Sequence, residues 1–495
     1  MQTASLPVTK PLMNDLFNRW FCVLVLFHFT LWTLLPTLIR YHLPMDSIEG
    51  ALWGQQLEWG YDKNPFMNAW ITALAMKLSN YRDVAIYAFS QLAVSICFIA
   101  TWLLARRMVS APLAFLSVLL LEGSQYYHLH AIDLSDNLLE LSVWSLTIYA
   151  FYRAVNGSKL AWCATGFIAA LAMLTKYYSG FLLLSLAIFL LTEQKARRNL
   201  ITLAPYIGLL IFILILLPHF MWLWSHDFIT VQYMLTRTDH VKDVRSHFIF
   251  PMQFFCEQLL VALPMLILYG ALFIGGRSTH NAQSQRFNRH FLFCAAWLPF
   301  ILTLLASLLL NLKLHAAWGS PLLTLWPLSF FVFFKQPMLT MKKMTVMVAS
   351  VFLLLCGLAV AYSLSLLYSD TPTSANFAGK TLATTLTNDW HQRYQTKLRF
   401  VAGDRFLAGS LAYYSKDHPS VWIEWDHQSS PWINESLVKK HGAIFIFYAN
   451  QTIPQYVQTQ FVAMQKPFTV QMGWLRNHYN VPADDISIVY VPPEA

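Results

Sequence analysis

The sequence predicts a polytopic α-helical membrane protein that ends in a small α/β domain. Three observations carry this expectation. Apolar runs long enough to cross the roughly 30 Å hydrocarbon core recur from residue 20 to residue 367. Only 12% of the residues are charged and 56% are hydrophobic, against about 25% charged in soluble domains. After about residue 370 the apolar density drops, charge rises, and helix-like and strand-like patterns alternate.

Eleven spans follow from the apolar runs: 20–40, 84–105, 110–122, 136–153, 160–175, 178–192, 200–218, 251–274, 291–310, 316–334 and 344–367. The third is short for a crossing. The first is preceded by some nineteen polar or mixed residues, with no short apolar region ending in a small-residue cleavage site. It reads as an uncleaved helix rather than a signal peptide. Lys10, Arg19, Arg106-Arg107, Lys159, Lys195 to Arg198, Arg277, Arg286, Arg289, Lys335 and Lys342-Lys343 all fall on one side of these spans. By the positive-inside rule that side is cytoplasmic. The N-terminus is therefore expected inside and the tail outside. The net charge of +9 is mostly this belt meeting anionic lipid, and it implies no nucleic acid. The six cysteines all lie in or beside spans. The tail has none, and no Cys-x-x-Cys metal site exists.

Two regions break the membrane pattern, an outer loop at 41–83 and the tail at 370–495. The loop carries Asp46-Ser47-Ile48-Glu49, two carboxylates on one face of a helix with Trp53 a turn further on. Asp-x-x-Glu ahead of a helix is also a capping arrangement, with Asp46 as N-cap and Glu49 reaching back. A capped helix end can still present a carboxylate to a cleft, so both readings stand. Gly60-Tyr61 is a helix stop and Asn64-Pro65-Phe66 a turn. Beyond it Phe66, Trp70, Leu74 and Leu78 form one apolar stripe, as in helices that lie flat in the interface.

A second outer segment runs from Glu122 to Asp136. Asp133 or Ser135 could cap the helix that follows. His128 and His130 alternate, a weak metal signal, and His240 in the long outer loop 219–250 is another weak candidate. The Trp and His residues of that loop otherwise suit an interfacial belt. Lys176, Arg237 and Lys313 come from three separate outer segments. Each alone could snorkel to headgroups, but together they suit an anion pocket, and phosphate is the obvious anion at a bilayer surface.

In the tail, residues 376–396 and 405–414 read as helices, and 399–402, 420–423 and 443–448 as strands, with a turn at Gly403-Asp404. That succession suits a small α/β domain. Trp422, Trp425 and Trp432 could stack on sugar rings, although core packing accounts for each.

These residues carry a resemblance. Asp46-x-x-Glu49, Gly60-Tyr61 and Asn64-Pro65-Phe66 are followed by Asp133 at the start of a span. Then come Gly166 through Leu174-Thr175-Lys176, Arg237, and Lys313 before Trp318-Gly319-Ser320-Pro321. In this order the chain resembles, over about residues 10–335, bacterial members of the dolichyl-phosphate-mannose protein mannosyltransferase superfamily. That superfamily has the C-type glycosyltransferase (GT-C) fold, is glycosyltransferase family 39-like, and includes the lipid A aminoarabinose transferases. The chain departs from the usual pattern in two places. Ser47 follows Asp46 where the family commonly has Glu, and Phe66 follows Pro65 where many relatives have a second Pro.

The resemblance implies a GT-C-like domain over residues 1–369 and an extracytoplasmic domain over 370–495, in a bacterial inner membrane with the tail in the periplasm. It implies transfer of one sugar, with inversion, from a polyprenyl-phosphate donor to a glycolipid or glycan acceptor, such as lipid A or lipopolysaccharide. Asp46, Glu49 and Asp133 are the expected catalytic residues, with Asp46 as base. Lys176, Arg237 and Lys313 would bind the donor phosphate, and Tyr61 and Asn64 the substrate. No cofactor is required, and a divalent metal stays open. The alternatives are a protein O-glycosyltransferase of the same fold and, from other classes, a lipid or sugar transporter or a membrane scaffold. A transporter predicts ionisable groups near the midplane, whereas this sequence gathers them at one rim.

Overall fold

The computed structural model describes residues 10–237, 243–274, 278–279, 286–334, 336–368, 372–472 and 484–494. Each of the eleven expected spans contains helix. Six helices are long and apolar enough to cross a membrane: Asn14–Ile39, Asp83–Ala105, Ala204–Ser225, Ser246–Ala271, Arg286–Leu310 and Met341–Leu367. Two bent pairs, Tyr177–Thr192 with Gln194–Ile201 and Ala316–Leu323 with Trp326–Phe333, raise this to eight if each pair is one span. Ala111–Leu119, Asp136–Val155 and Lys159–Thr175 are helical without meeting that standard. Ala111–Leu119 is buried except at Pro112.

The bundle closes through ring stacking and bare backbone. Phe21 stacks on Trp102, centroids 4.7 Å apart and planes 8° from parallel, joining the first helix to Asp83–Ala105. Helices Lys159–Thr175 and Ala204–Ser225 cross where Gly166 meets Gly208, and a Cβ on Gly166 would overlap the Gly208 carbonyl oxygen. Small residues at such crossings let two helices approach closely in lipid. Gly166→Val is expected to cost about 1–3 kcal/mol, the usual penalty for overfilling a packed contact. The measure is the midpoint of thermal unfolding in lipid nanodiscs against wild type.

The basic belt gathers at the end of the bundle where the first helix begins. Arg106 Nη1 donates to Asn18 Oδ1 (3.1 Å), Lys195 Nζ to Asn156 Oδ1 (2.6 Å) and Arg289 Nη2 to the Phe333 carbonyl (3.2 Å). Ionisable groups are not confined to the rims, however. His28 and Glu122 are fully buried inside the bundle and meet at 2.8 Å (Nδ1–Oε1). His28 Nε2 contacts Gln91 Oε1 (3.1 Å), and Gln91 Nε2 donates to the Ala131 carbonyl (2.8 Å). This closed chain holds the segment that carries Asp133 against the first helix. The sequence pattern missed it because its members lie far apart in the chain.

The C-terminal domain is a five-stranded sheet ordered Ser420–Ile423, Phe400–Gly403, Ala443–Tyr448, Asp484–Val491, Phe468–Met472. The first three strands are parallel and the last two pair antiparallel. Helix Arg405–Tyr414 leaves Phe400–Gly403 through Asp404, whose carboxylate accepts from the N–H groups of Phe406 (3.0 Å) and Leu407 (3.1 Å). One sheet face packs on this helix and on Gly379–Tyr394. The same apolar cluster runs on into Leu52, Trp53, Tyr61 and Phe66 of the loop at 41–83. Helix Arg405–Tyr414 lies so close to the loop helix Met45–Gly54 that a Cβ on Gly409 would stand 2.8 Å from Ile48 Cγ2. The C-terminal domain and the loop thus share one core, at the end of the bundle away from residue 10.

Candidate active site

Helix Met45–Gly54 places the first carboxylate pair. Its N-cap is Pro44, which offers no side-chain hydrogen bond. This corrects the capping expectation: Asp46 is inside the first turn and Glu49 does not reach back. The acceptor comes from the second outer segment. Asp133 Oδ1 accepts from the Ser47 N–H (2.8 Å) and the Ser47 hydroxyl (2.7 Å), and its Oδ2 from the Asp46 N–H (3.3 Å). Ser47 Oγ in turn accepts from the Leu134 N–H (3.0 Å). The two outer segments are laced at this point, and an anion at a helix N-terminus is electrostatically favoured there. Ser135, not Asp133, caps helix Asp136–Val155, through the Leu138 N–H.

Asp46 and Asp133 border a cavity of about 110 Å³, together with Tyr126, His130, Asn137 and Ser320. The Asp46 carboxylate makes no hydrogen bond among the described residues. The negative charge of Asp133 pushes Asp46 well above the usual carboxylate range, and burial, Asp136 and Glu49 push the same way. Burial raises Asp133 too, but the Ser47 N–H and hydroxyl favour its charged form. Asp46 is therefore the member of the pair that holds a proton more readily.

Lys176 follows helix Lys159–Thr175 and stands behind the wall of this cavity, bonded to Asn137, which lines it. Its Nζ pairs with Asp136 Oδ2 (3.2 Å), bonds Asn137 Oδ1 and stands 5.2 Å from the centre of the Trp318 ring. One cation thus sits beside a carboxylate-lined space. Lys313 is exposed on the segment after helix Leu298–Leu310. Arg237 ends helix Ile229–Arg237, but its side chain lies outside the described residues, as does His240.

Glu49 has other partners. Its Oε1 pairs with Lys63 Nζ (2.6 Å) and with Arg405 Nη1 (2.8 Å) from the C-terminal domain. Arg405 Nη2 also pairs with Asp62 Oδ2 (2.5 Å), and its guanidinium lies 5.9 Å from the centre of the Trp53 ring. Glu49, Asp62 and Arg405 are all buried. Asp62, Lys63 and Arg405 of this network line a cleft of about 680 Å³ between loop and domain, with Tyr233, Glu424 and Tyr448, while Glu49 lies behind them.

Tyr61 is 1% exposed. Its hydroxyl donates to the Trp53 carbonyl (3.0 Å) and its ring stacks on Trp53, so it fixes the loop from within. Asn64 closes the same turn, its carbonyl accepting from the Tyr61 N–H (3.0 Å) beside the Gly60–Pro65 bridge. His128 is buried against Trp32 and accepts from the Leu129 N–H, while His130 lines the 110 Å³ cavity. No cluster of three metal-ligating side chains occurs among the described residues.

Sequence reasoning passed over Arg40, Ser47, Lys63, Asp62 and Arg405. Asp62 and Lys63 sit inside the loop it singled out. Arg405 gives no local signal, because its meaning comes from carboxylates more than 340 positions away in the chain.

Residues 63–222 match the family model of dolichyl-phosphate-mannose-protein mannosyltransferases. The crystal structure of ArnT from Cupriavidus metallidurans bound to undecaprenyl phosphate superposes with a TM-score of 0.60 at 13% identity, covering 95% of this chain and 98% of that one. The apo form of the same protein gives a TM-score of 0.51 at 13% identity, covering 97% and 99%. No curated protein sequence matches the chain.

Proposed function

We propose that this chain, a membrane glycosyltransferase of the GT-C fold, moves one sugar from a polyprenyl-phosphate donor to an acceptor at the end of the bundle that bears the C-terminal domain. The observation that carries the reading is the Asp46–Asp133 pair, which borders a cavity also lined by Asn137, the residue that Lys176 bonds. In a single displacement the bond from the anomeric carbon to the phosphate oxygen breaks as the bond to the acceptor oxygen forms, with inversion. Negative charge grows on the departing lipid phosphate. Lys176 is placed to stabilise it in a site of low dielectric, and Arg237 and Lys313 are the further candidates. Asp46 takes the proton of an acceptor hydroxyl, while Asp133 fixes the loop helix that carries Asp46. The expected setting is the bacterial inner membrane, N-terminus cytoplasmic and C-terminal domain periplasmic, with lipid A or lipopolysaccharide as the acceptor.

The test compares envelope glycolipids, by mass spectrometry, from cells with and without the gene. Loss of one sugar from a glycolipid, with accumulation of the sugar-charged polyprenyl phosphate, is expected. Identical glycolipids, or sugar lost from proteins alone, would count against the acceptor named here. In the purified protein, Lys176→Ala should lower turnover by about 10²–10³-fold, the range for removing one stabiliser of a developing anion.

A further inference from the structure

His130 and Asp133 are the two residues that line both the 110 Å³ cavity beside Asp46 and a second space of about 350 Å³, which Arg40, Gln125, Leu129 and Tyr362 also border. The larger space in turn shares Ser374 with the 680 Å³ cleft. A chain of spaces therefore leads from Asp46 to the cleft beside the C-terminal domain, with His130 and Asp133 at its first partition. The two residues differ in what they can do there. Asp133 uses both oxygens to accept from Asp46 and Ser47. The His130 ring meets Tyr126 edge-on, with centroids 5.5 Å apart. Its nitrogens make no hydrogen bond among the described residues, and the residue is exposed to the spaces it lines.

Asp46 has the complementary difficulty. In the transferase reading it removes a proton from the acceptor hydroxyl, and it must lose that proton before the next turnover. The charge of Asp133 favours its keeping the proton, and no side chain among the described residues is hydrogen-bonded to its carboxylate. The 110 Å³ cavity has room for a few water molecules, enough to bridge Asp46 to His130. Asp46, Asp133 and Tyr126 face His130 from the cavity, and Arg40 and Tyr362 from the larger space; buried His128 is two residues back. Burial pushes the His130 imidazole below the ordinary histidine range. At neutral pH the ring is therefore uncharged, with a lone pair ready for a proton.

We infer that His130 is the proton outlet of the site, taking the acceptor's proton from Asp46 through water and releasing it into the larger space. The acceptor O–H bond breaks as the glycosidic bond forms, and its proton makes Asp46 a carboxylic acid. One proton then passes along the water bridge to the neutral imidazole, which restores the Asp46 carboxylate. The imidazolium gives one proton to solvent, and the site returns to its starting charge. Asp133 favours the first transfer, and Arg40, on the other side of the ring, favours the second. This rests on the transferase reading above and deepens it, because it gives that reaction a second proton-transfer residue. The alternative role for His130 is to pack against Tyr126.

The experiment uses the full chain in spheroplasts of cells lacking the native gene. These expose the outer side to the buffer and keep the native donor and acceptor in the membrane. The rate of sugar addition to the envelope glycolipid is followed by mass spectrometry. His130→Gln and His130→Ala should each slow it by about 10²-fold, the low end of what a positioned proton-transfer group is worth. Imidazole in the buffer should restore His130→Ala but not His130→Gln, whose side chain still fills the place. Pyrazole, a ring of the same shape and far weaker basicity, should restore neither. Rescue of His130→Ala by both rings would make His130 a packing residue, and rescue by neither would also overturn the inference. If His130→Ala folds poorly, the solvent deuterium isotope effect on His130→Gln decides. It should exceed that of wild type, because proton loss has become limiting, and an equal effect would overturn the inference. If His130→Gln works at the wild-type rate while Asp46→Asn does not, the transferase reading stands and the outlet alone falls. If wild type itself adds no sugar, both fall.

Discussion

Arg405→Ala is expected to destabilise the junction between the loop and the C-terminal domain by about 3–5 kcal/mol, the cost of removing one partner from a buried ion pair. Arg405 Nη1 holds Glu49 at 2.8 Å and Nη2 holds Asp62 at 2.5 Å. Without it two buried carboxylates face each other, and only Lys63, at 2.6 Å from Glu49, remains to offset them. The loss is one of desolvated charge rather than of a favourable contact, and that distinction can be tested. Arg405→Met combined with Glu49→Gln and Asp62→Asn removes all three charges while keeping most of the packing, and it should recover most of the lost stability. Arg405→Lys should not, because a point charge cannot bridge two carboxylates as a planar fork does. Thermal unfolding in nanodiscs measures the stability, and limited proteolysis of the C-terminal domain reports its docking.

The same variants decide the role of Glu49. If Glu49 acts on substrate, the triple variant is stable and inactive. If its function is to hold Arg405 and Lys63, the triple variant turns over close to wild type. The geometry favours the second outcome. The carboxylate is engaged at 2.6 and 2.8 Å by two cations and is absent from the walls of the 110 Å³ cavity.

How much of this was legible in the sequence follows from which interactions are local. Helix 405–414 and strands 420–423 and 443–448 could be read to the residue, because turn signals bound them and their side chains are mostly buried. Strand Phe468–Met472 could not. It is an edge strand with mostly exposed side chains, so no alternation marks it. The resemblance singled out Asp46 and Asp133 without showing that Asp133 accepts the N–H groups of the helix bearing Asp46. The stripe Phe66, Trp70, Leu74, Leu78 divides in the structure. Phe66 and Trp70 pack with each other and with Trp59, while Leu74 and Leu78 stay exposed. Arg40 gives no local signal at the end of the first span, since its partners Tyr362 and Ser374 lie more than 320 positions on.

Asp46→Asn is expected to lower turnover by about 10²–10⁴-fold, the usual worth of a positioned general base, and the pH profile identifies why. Asp133 repels a second negative charge at Asp46 and holds it well above the usual carboxylate range. A raised pKa means that Asp46 stays protonated, and so inactive as a base, until the pH rises past that raised value. The acidic limb of kcat should therefore lie above the ordinary carboxylate range. Asp133→Asn keeps an oxygen to accept from Ser47 but removes the repelling charge. Asp46 should then ionise at lower pH, and the acidic limb should move down while the loop helix stays in place. If the acceptor nucleophile is instead an oxygen that is already anionic, no proton has to leave. Asp46→Asn would then cost far less, and Asp133→Asn would leave the limb where it was. A downward shift in Asp133→Asn, together with the loss in Asp46→Asn, would make Asp46 a base acting on a hydroxyl.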